Sequence, residues 1–265
     1  MLKGVASSEF YRLQKTRKKL DEFLDYLQGF FQMVDITEAQ HLFLKDSSLP
    51  QALLLITSDA GFLGKLNISV VNSALEKSSG AEELIVVGRQ GIRYIEETGR
   101  SFTPFAGVSD KVEYKEAEKL ADFILKGVLD KKFGRIVVVY PHFVSFAVWK
   151  VQAQQLLPCR FLFQAGSKVE KEGVEDKVLI EPALTKVIEY IIRIWINHML
   201  YGICWESKLS EWAARVMHLE GSSHEIKQMD KKLHSQYFRL LREISDKNIR
   251  EIFATKLAMG QGTIA

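Results

Sequence analysis

Late in the chain, apolar positions recur with a helical period. Ile226, Met229, Leu233, Tyr237, Leu240 and Ile244 follow one another at spacings of 3, 4, 4, 3 and 4, which keeps them on one face of an α-helix. Lys227, Lys231, Lys232, Arg239, Arg242, Lys247 and Arg250 lie among them. From Ala183 to about Met259 there is no proline, and Gly202 and Gly221 are the only glycines. Pro182 stands where a helix-starting proline belongs. The pattern predicts one helix over this whole stretch, on the order of 110 Å long at ~1.5 Å rise per residue. A rod of that length cannot be buried in its own chain. It needs a partner helix, a surrounding protein, or both.

A second amphipathic helix is predicted from Ser8. Leu13, Leu20, Leu24, Leu27, Phe31 and Val34 are spaced 7, 4, 3, 4 and 3, and the helix is expected to run to about Leu44. Asp46, Ser47, Ser48 and Pro50 then break it. Helices from opposite ends of a chain, enclosing a compact middle, can pair as an antiparallel coiled coil.

The middle alternates. Ala52–Thr57, Glu83–Val87 and Arg135–Tyr140 are continuous apolar runs, the pattern of strands buried on both faces. Phe143–Ala153 is read as a fourth strand, at an edge. Asn67–Lys77, Gln90–Thr98 (closed by Gly99) and Lys115–Leu129 are read as helices, and residues 156–182 as the connection into the long helix. The fold class is therefore α/β: a long antiparallel helical coiled coil from the two termini, plus a small Rossmann-like domain with a mostly parallel sheet. The expected divisions are 1–48 (N-terminal shaft helix), 49–182 (α/β domain) and 183–265 (C-terminal shaft helix).

Charge and cysteine content narrow this picture. With 36 basic and 33 acidic residues among 265, the net charge of +3 is too small to argue for nucleic acid. Cys159 and Cys204 form no metal spacing and no disulfide framework, which suits a reducing compartment. The first residues lack the apolar core of a secretory signal. The stretch Val187–Met199 is too short and too polar to span a bilayer.

Candidate chemistry is sparse. Ser58–Lys65 follows a strand and precedes a helix, where a phosphate loop would sit. Only two residues separate Gly61 from Gly64, however, and Leu66 follows Lys65 where a Walker loop needs Ser or Thr. No GxGxxG and no GxSxG occurs. Turn chemistry is the reading for this segment and for Gly88-Arg89-Gln90-Gly91. Asp59, at the end of a strand, reads as a turn or helix cap. His41, His142, His198, His218, His224 and His234 are scattered, with no metal-site spacing. No catalytic, cofactor-binding or metal-binding residue is expected, and no nucleotide affinity for the isolated chain.

Glu206-Ser207-Lys208-Leu209-Ser210-Glu211-Trp212-Ala213-Ala214-Arg215-Val216-Met217 resembles the ES-x-x-SE-x-AAR-M signature of the gamma subunit of F-type ATP synthases. Thr57–Asn67 is similar to that family's SSDRGLCGGLN, and Val87–Gly91 to its IGRKG. Phe143-Val144-Ser145 followed by Gln155-Leu156-Leu157-Pro158 matches its FVS…QLLP, while Tyr237 and Ile249-Arg250-Glu251-Ile252 fit its last helix. The resemblance runs in order over nearly the whole chain. It implies a non-catalytic rotor shaft inside a ring of alternating alpha and beta subunits, with the α/β domain and an epsilon subunit seated on a membrane c-ring. It also implies a peripheral location at the cytoplasmic face of the inner (plasma) membrane. On this reading the residues expected to touch partners are Phe31, Met33, Arg215, Arg239, Arg242, Ile249, Arg250, Glu251 and Ile252.

The chain also departs from the family pattern. Leu27–Val34 replaces a basic, methionine-rich stretch and carries Gln28 and Gln32 where lysines are usual. Trp212 replaces a usual histidine, and Leu241-Arg242 an Arg-Gln pair. These departures keep open a shaft of a specialised rotary ATPase not coupled to proton transport. A stand-alone α/β enzyme with dimerising helical arms is the third reading.

Overall fold

Side chains of a strand alternate between the two faces of its sheet, and the apolar runs of the middle segment divide in that way. The computed structural model describes residues 22–27, 29, 31, 41–78, 80–145, 148–164, 181 and 183–260, without the side chains of 164 and 257–260. Strand β1 (Gln51–Ile56) sends Ala52, Leu54 and Ile56 into one core and Leu53 and Leu55 into the other. β2 (Glu83–Val87) divides in the same way, with Ile85 and Val87 opposite Leu84 and Val86. β4 (Arg135–Ser145) gives Ile136, Val138 and Tyr140 to the first core and Val139 to the second.

The sheet has five strands in the order β3-β2-β1-β4-β5. β1 pairs in parallel with β2 and β4, and β2 in parallel with β3 (Phe102–Phe105). β5 (Val148–Leu157) closes the other edge, antiparallel to β4. Helices cover both faces. On one side α2 (Leu66–Glu76) packs Val70, Val71 and Ala74 against the sheet, and α3 (Arg89–Glu96) packs Ile95. On the other lie α4 (Tyr114–Leu129) and the first part of α6 (Leu184–Gly260), with the short α5 (Phe161–Gln164) beside them. Residues 22–27, labelled α1, are helical, and Leu27 and Phe31 join Ile188, Ile192, Trp195, Ile196 and Ile203 of α6 in that core.

Two expectations are corrected. Residues 42–45 form turns, so helix does not reach Leu44; Phe43 instead accepts the backbone N–H of Cys159 through its carbonyl, at 2.9 Å, and is fully buried. Phe143 lies within β4, which runs to Ser145, rather than opening the edge strand. That strand starts at Val148 and extends to Leu157, through residues read as connection. The unexpected strand β3 is four residues long and contains Pro104, which lacks a ladder donor and is tolerated at an edge.

By its contacts the chain separates into Met1–Met217 and His218–Ala265, a division that falls inside α6. In the second unit, residues 218–256 are exposed almost throughout. Among the described residues no helix is long and apolar enough to cross a membrane, and no group of three or more His, Cys, Asp or Glu could hold a metal ion.

Candidate functional site

The turn after β1 and the start of α3 are built against each other. Gly88 precedes α3 with φ of 98°, and a Cβ there would lie 2.4 Å from the Thr57 carbonyl oxygen. Only glycine fits both the left-handed backbone and the close approach. This proximity lets the chain itself use the donors that open α3. Gly88 N–H donates to the Phe105 carbonyl at 3.1 Å and Gln90 N–H to that of Ser58 at 3.1 Å. Arg89 N–H donates to Asp59 Oδ1 at 2.8 Å, and Gly91 N–H to Thr57 Oγ1 at 3.0 Å. The donors that make a helix N-terminus attractive to phosphate are thus engaged by the protein's own oxygens. Asp59 is a helix cap, as read, but from the turn after β1 it caps α3, which follows the neighbouring strand, rather than the helix that comes next in the chain.

The stretch 205–215 of α6 is seated within the first unit by paired polar and apolar contacts. Ser210 Oγ donates to the Pro141 carbonyl at 3.0 Å, and His142 Nδ1 is hydrogen-bonded to Glu206 Oε2. Lys208 Nζ donates to the Val108 carbonyl at 3.1 Å and to Glu211 Oε2 at 3.0 Å, and meets Asp110 Oδ1 at 3.1 Å. Arg215 donates to Glu211 Oε1 at 2.7 Å and lies 4.8 Å over the Trp212 ring. Leu209 packs with Phe143, Trp205 and Trp212, while Ala214 packs with Leu63, Leu66 and Trp149. Ala213 and Ala214, both buried, are small enough to let the helix approach closely.

The residues expected to touch partners fall into three groups. Phe31 is fully buried in the chain's own core, and Met33 lies outside the described residues. Arg215 is tied to Glu211 within the first unit. Arg239, Arg242, Ile249, Arg250, Glu251 and Ile252 are all exposed on the second unit, where Arg239 pairs with Glu243. The stripe read from the sequence is exposed as well, with Ile226 at 65% and Leu233 at 63%. Lys208, Asp110 and His142 were not singled out beforehand. The one local signal was the i, i+3 spacing of Lys208 and Glu211, which suits an ion pair on one helix face.

Both cysteine thiols are raised to about 12 by burial, with the Glu116 carboxylate adding to the effect at Cys204. Such thiols are poor nucleophiles. Tyr114 is also raised, mainly by burial.

These features define a class before they define a protein. An α/β module is fastened by side-chain ties to a helix of 77 residues, and the far part of that helix exposes an apolar, arginine-flanked face. That is a structural subunit built for assembly. The family model described as ATP synthase matches residues 2–259, and the chain belongs to the ATP synthase gamma chain family. It is similar to the ATP synthase gamma chain of Opitutus terrae, with 28% identity over 233 residues, 84% of this chain and 79% of that one. The gamma chain of Clostridium novyi is 27% identical over 251 residues, 91% of this chain and 86% of its own. Among solved structures, a chain of the Tetrahymena thermophila mitochondrial ATP synthase, central stalk and c-ring, matches with TM-score 0.62 and 21% identity, covering 84% of this chain and 97% of that one. A chain of the Euglena gracilis mitochondrial ATP synthase matches with TM-score 0.64 and 16% identity, covering 98% and 96%. The protein is a gamma subunit of an F-type ATP synthase central stalk, a non-catalytic member of its complex.

Proposed function

We propose that this chain is the rotor shaft that couples proton-driven rotation of a membrane c-ring to ATP synthesis or hydrolysis in a catalytic head. In this reading residues 1–48 and 183–265 form the shaft as an antiparallel coiled coil, and residues 49–182 form the attachment domain. The partners are the alpha and beta subunits of the head, an epsilon subunit and the c-ring. The location is peripheral, at the cytoplasmic face of the inner (plasma) membrane. The stacking of Phe23 on His198, with ring centroids 4.2 Å apart, supports the pairing of the terminal segments.

The observation that carries the reading is the exposed apolar face of the second unit, from Ile226 at 65% to Ile244 at 57%. A continuous apolar face of that kind marks an interaction surface. Each orientation of an asymmetric shaft would contact the surrounding subunits differently and stabilise a different conformation in each. Arg239, Arg242 and Arg250 offer charge to acidic loops, whereas Ile249, Ile252 and Phe253 offer an apolar bearing.

The test is truncation after Tyr237 in the complete complex reconstituted into vesicles. ATP hydrolysis that persists while proton uptake fails is the expected result. Full coupling after truncation would refute the reading. Trp212, one of the departures from the family pattern, packs on Leu209 and under Arg215 within the first unit. Its presence therefore reflects how α6 is seated and lends no support to a specialised head.

A further inference from the structure

Lys208 stands at a position that the signature over Glu206–Met217 leaves open, yet it makes the most extensive polar contacts of the seated stretch. Its side chain is only 6% exposed. Its ammonium donates to the Val108 carbonyl at 3.1 Å and to Glu211 Oε2 at 3.0 Å, and forms an ion pair with Asp110 Oδ1 at 3.1 Å. An ammonium carries three donors and no acceptor, and here two hydrogen bonds and one ion pair set its direction. Two of the acceptors belong to the β3–α4 loop, whose Gly107 lies so close to Asp59 that a Cβ would come within 2.4 Å of Oδ1. Asp59 in turn holds the first N–H of α3. Lys208 therefore joins α6, through one loop, to the turn at the carboxyl end of the central strand.

Ser210 and Glu206 each add one directional tie to β4, through the Pro141 carbonyl and His142. Leu209 and Ala214 make apolar contacts, which are non-directional and tolerate sliding. A buried ammonium held by two hydrogen bonds and an ion pair does not, because hydrogen bonds weaken steeply with distance and angle. We propose that Lys208 is a positioning residue that, together with the single ties of Ser210 and Glu206, fixes the rotational register of α6 against the sheet, so that torque applied to one turns the other. The proposal rests on the reading of the chain as a rotor shaft.

The test uses the complete complex in vesicles and reads the ratio of proton uptake to ATP hydrolysis. Lys208→Met keeps the apolar stem and removes the charge. Its ratio is expected to fall on the order of three- to ten-fold or more, because both hydrogen bonds and the ion pair of the ammonium are lost together. Lys208→Arg, which keeps a cation near both carboxylates, is expected to retain most of the ratio. Asp110→Asn, at an exposed carboxylate that leaves the core intact, is expected to lower the ratio less than Lys208→Met. A ratio unchanged in Lys208→Met and Asp110→Asn overturns the proposal, as does an equal loss in the methionine and arginine variants. The truncation after Tyr237 is measured in parallel. If it stays coupled, the rotor reading itself fails; if it uncouples while Lys208→Met does not, only the role of Lys208 is lost.

Discussion

Two stretches of α6 carry apolar side chains at the same helical spacing and meet opposite fates. Ile188, Ile192 and Ile196 are fully buried, whereas Ile226, Leu233 and Ile244 are 65%, 63% and 57% exposed. Periodicity fixes which face of a helix is apolar, but it does not say what covers that face. In the first unit the chain supplies its own cover, from the sheet, α4 and the described part of α1. In the second unit the same pattern is exposed. Burial thus separates a covered face from an exposed one within the same helix.

The largest expected effect sets the two faces directly against each other. Ile192→Ala should destabilise the isolated chain by about 2–5 kcal/mol, the usual result of truncating a core residue. Ile244→Ala should change it by no more than ~0.5 kcal/mol, as exposed substitutions do. Urea denaturation of the two variants checks this, and comparable losses would mean that the isolated chain already covers the stripe. Next in size is Gly88→Ala. A left-handed φ and a 2.4 Å approach to the Thr57 carbonyl oxygen leave no room for the methyl group. A loss of roughly 1–3 kcal/mol is expected, together with slackened contacts between the β1 turn and α3. A thermal melt of the same chain measures it.

Much of the fold was legible in the sequence because its signals are local. The runs Ala52–Thr57, Glu83–Val87 and Arg135–Tyr140 lie where β1, β2 and the first half of β4 stand. Pro182 and the glycine-poor stretch after it marked α6 within a residue or two. What escaped depends on partners distant in sequence. β3 becomes a strand by lying against β2, despite Pro104. β5 continues through Leu156 and Leu157 because both find the core beside β4. The role of Lys208 is of the same kind, since Val108 and Asp110 lie about a hundred positions away. Asp59 was readable as a cap from its residue type, but which helix it caps was fixed only by the approach of Gly88 to Thr57.

A third effect bears on the first unit alone. His41 is buried, and its Nδ1 accepts the Phe43 N–H at 3.2 Å. Burial lowers its pKa below the ordinary imidazole value of 6.5, with Glu189 opposing in part. Above pH 6.5 both folded and unfolded forms are neutral, so this contribution is fully present. As pH falls through that value the unfolded chain gains a proton that the folded chain takes up only at lower pH, so stability declines. Melting temperatures at pH 7.5 and 5.5 should therefore differ more for the native chain than for His41→Asn. An equal difference would show that the imidazole does not contribute.

The smallest effect belongs to the second unit. Arg239 and Arg242 are exposed, and the one ion pair of Arg239 is with Glu243 four residues on, at 3.1 Å. Such a pair contributes only ~0–1 kcal/mol, so replacing both arginines with glutamine should leave the melting temperature of the isolated chain nearly unchanged. Any larger consequence must then arise in the assembly, where acidic partner groups would lie close to them and away from bulk water. In the complete complex the double variant should weaken assembly or coupling, but less than the truncation after Tyr237, which also removes Ile249, Ile252 and Phe253. The comparison needs both readouts on the same preparation. A lowered proton-uptake ratio with an unchanged melt would assign these arginines to the assembly face. A lowered melt would place them among the residues that hold the chain itself together. No change in either would leave the apolar side chains as the whole of the bearing.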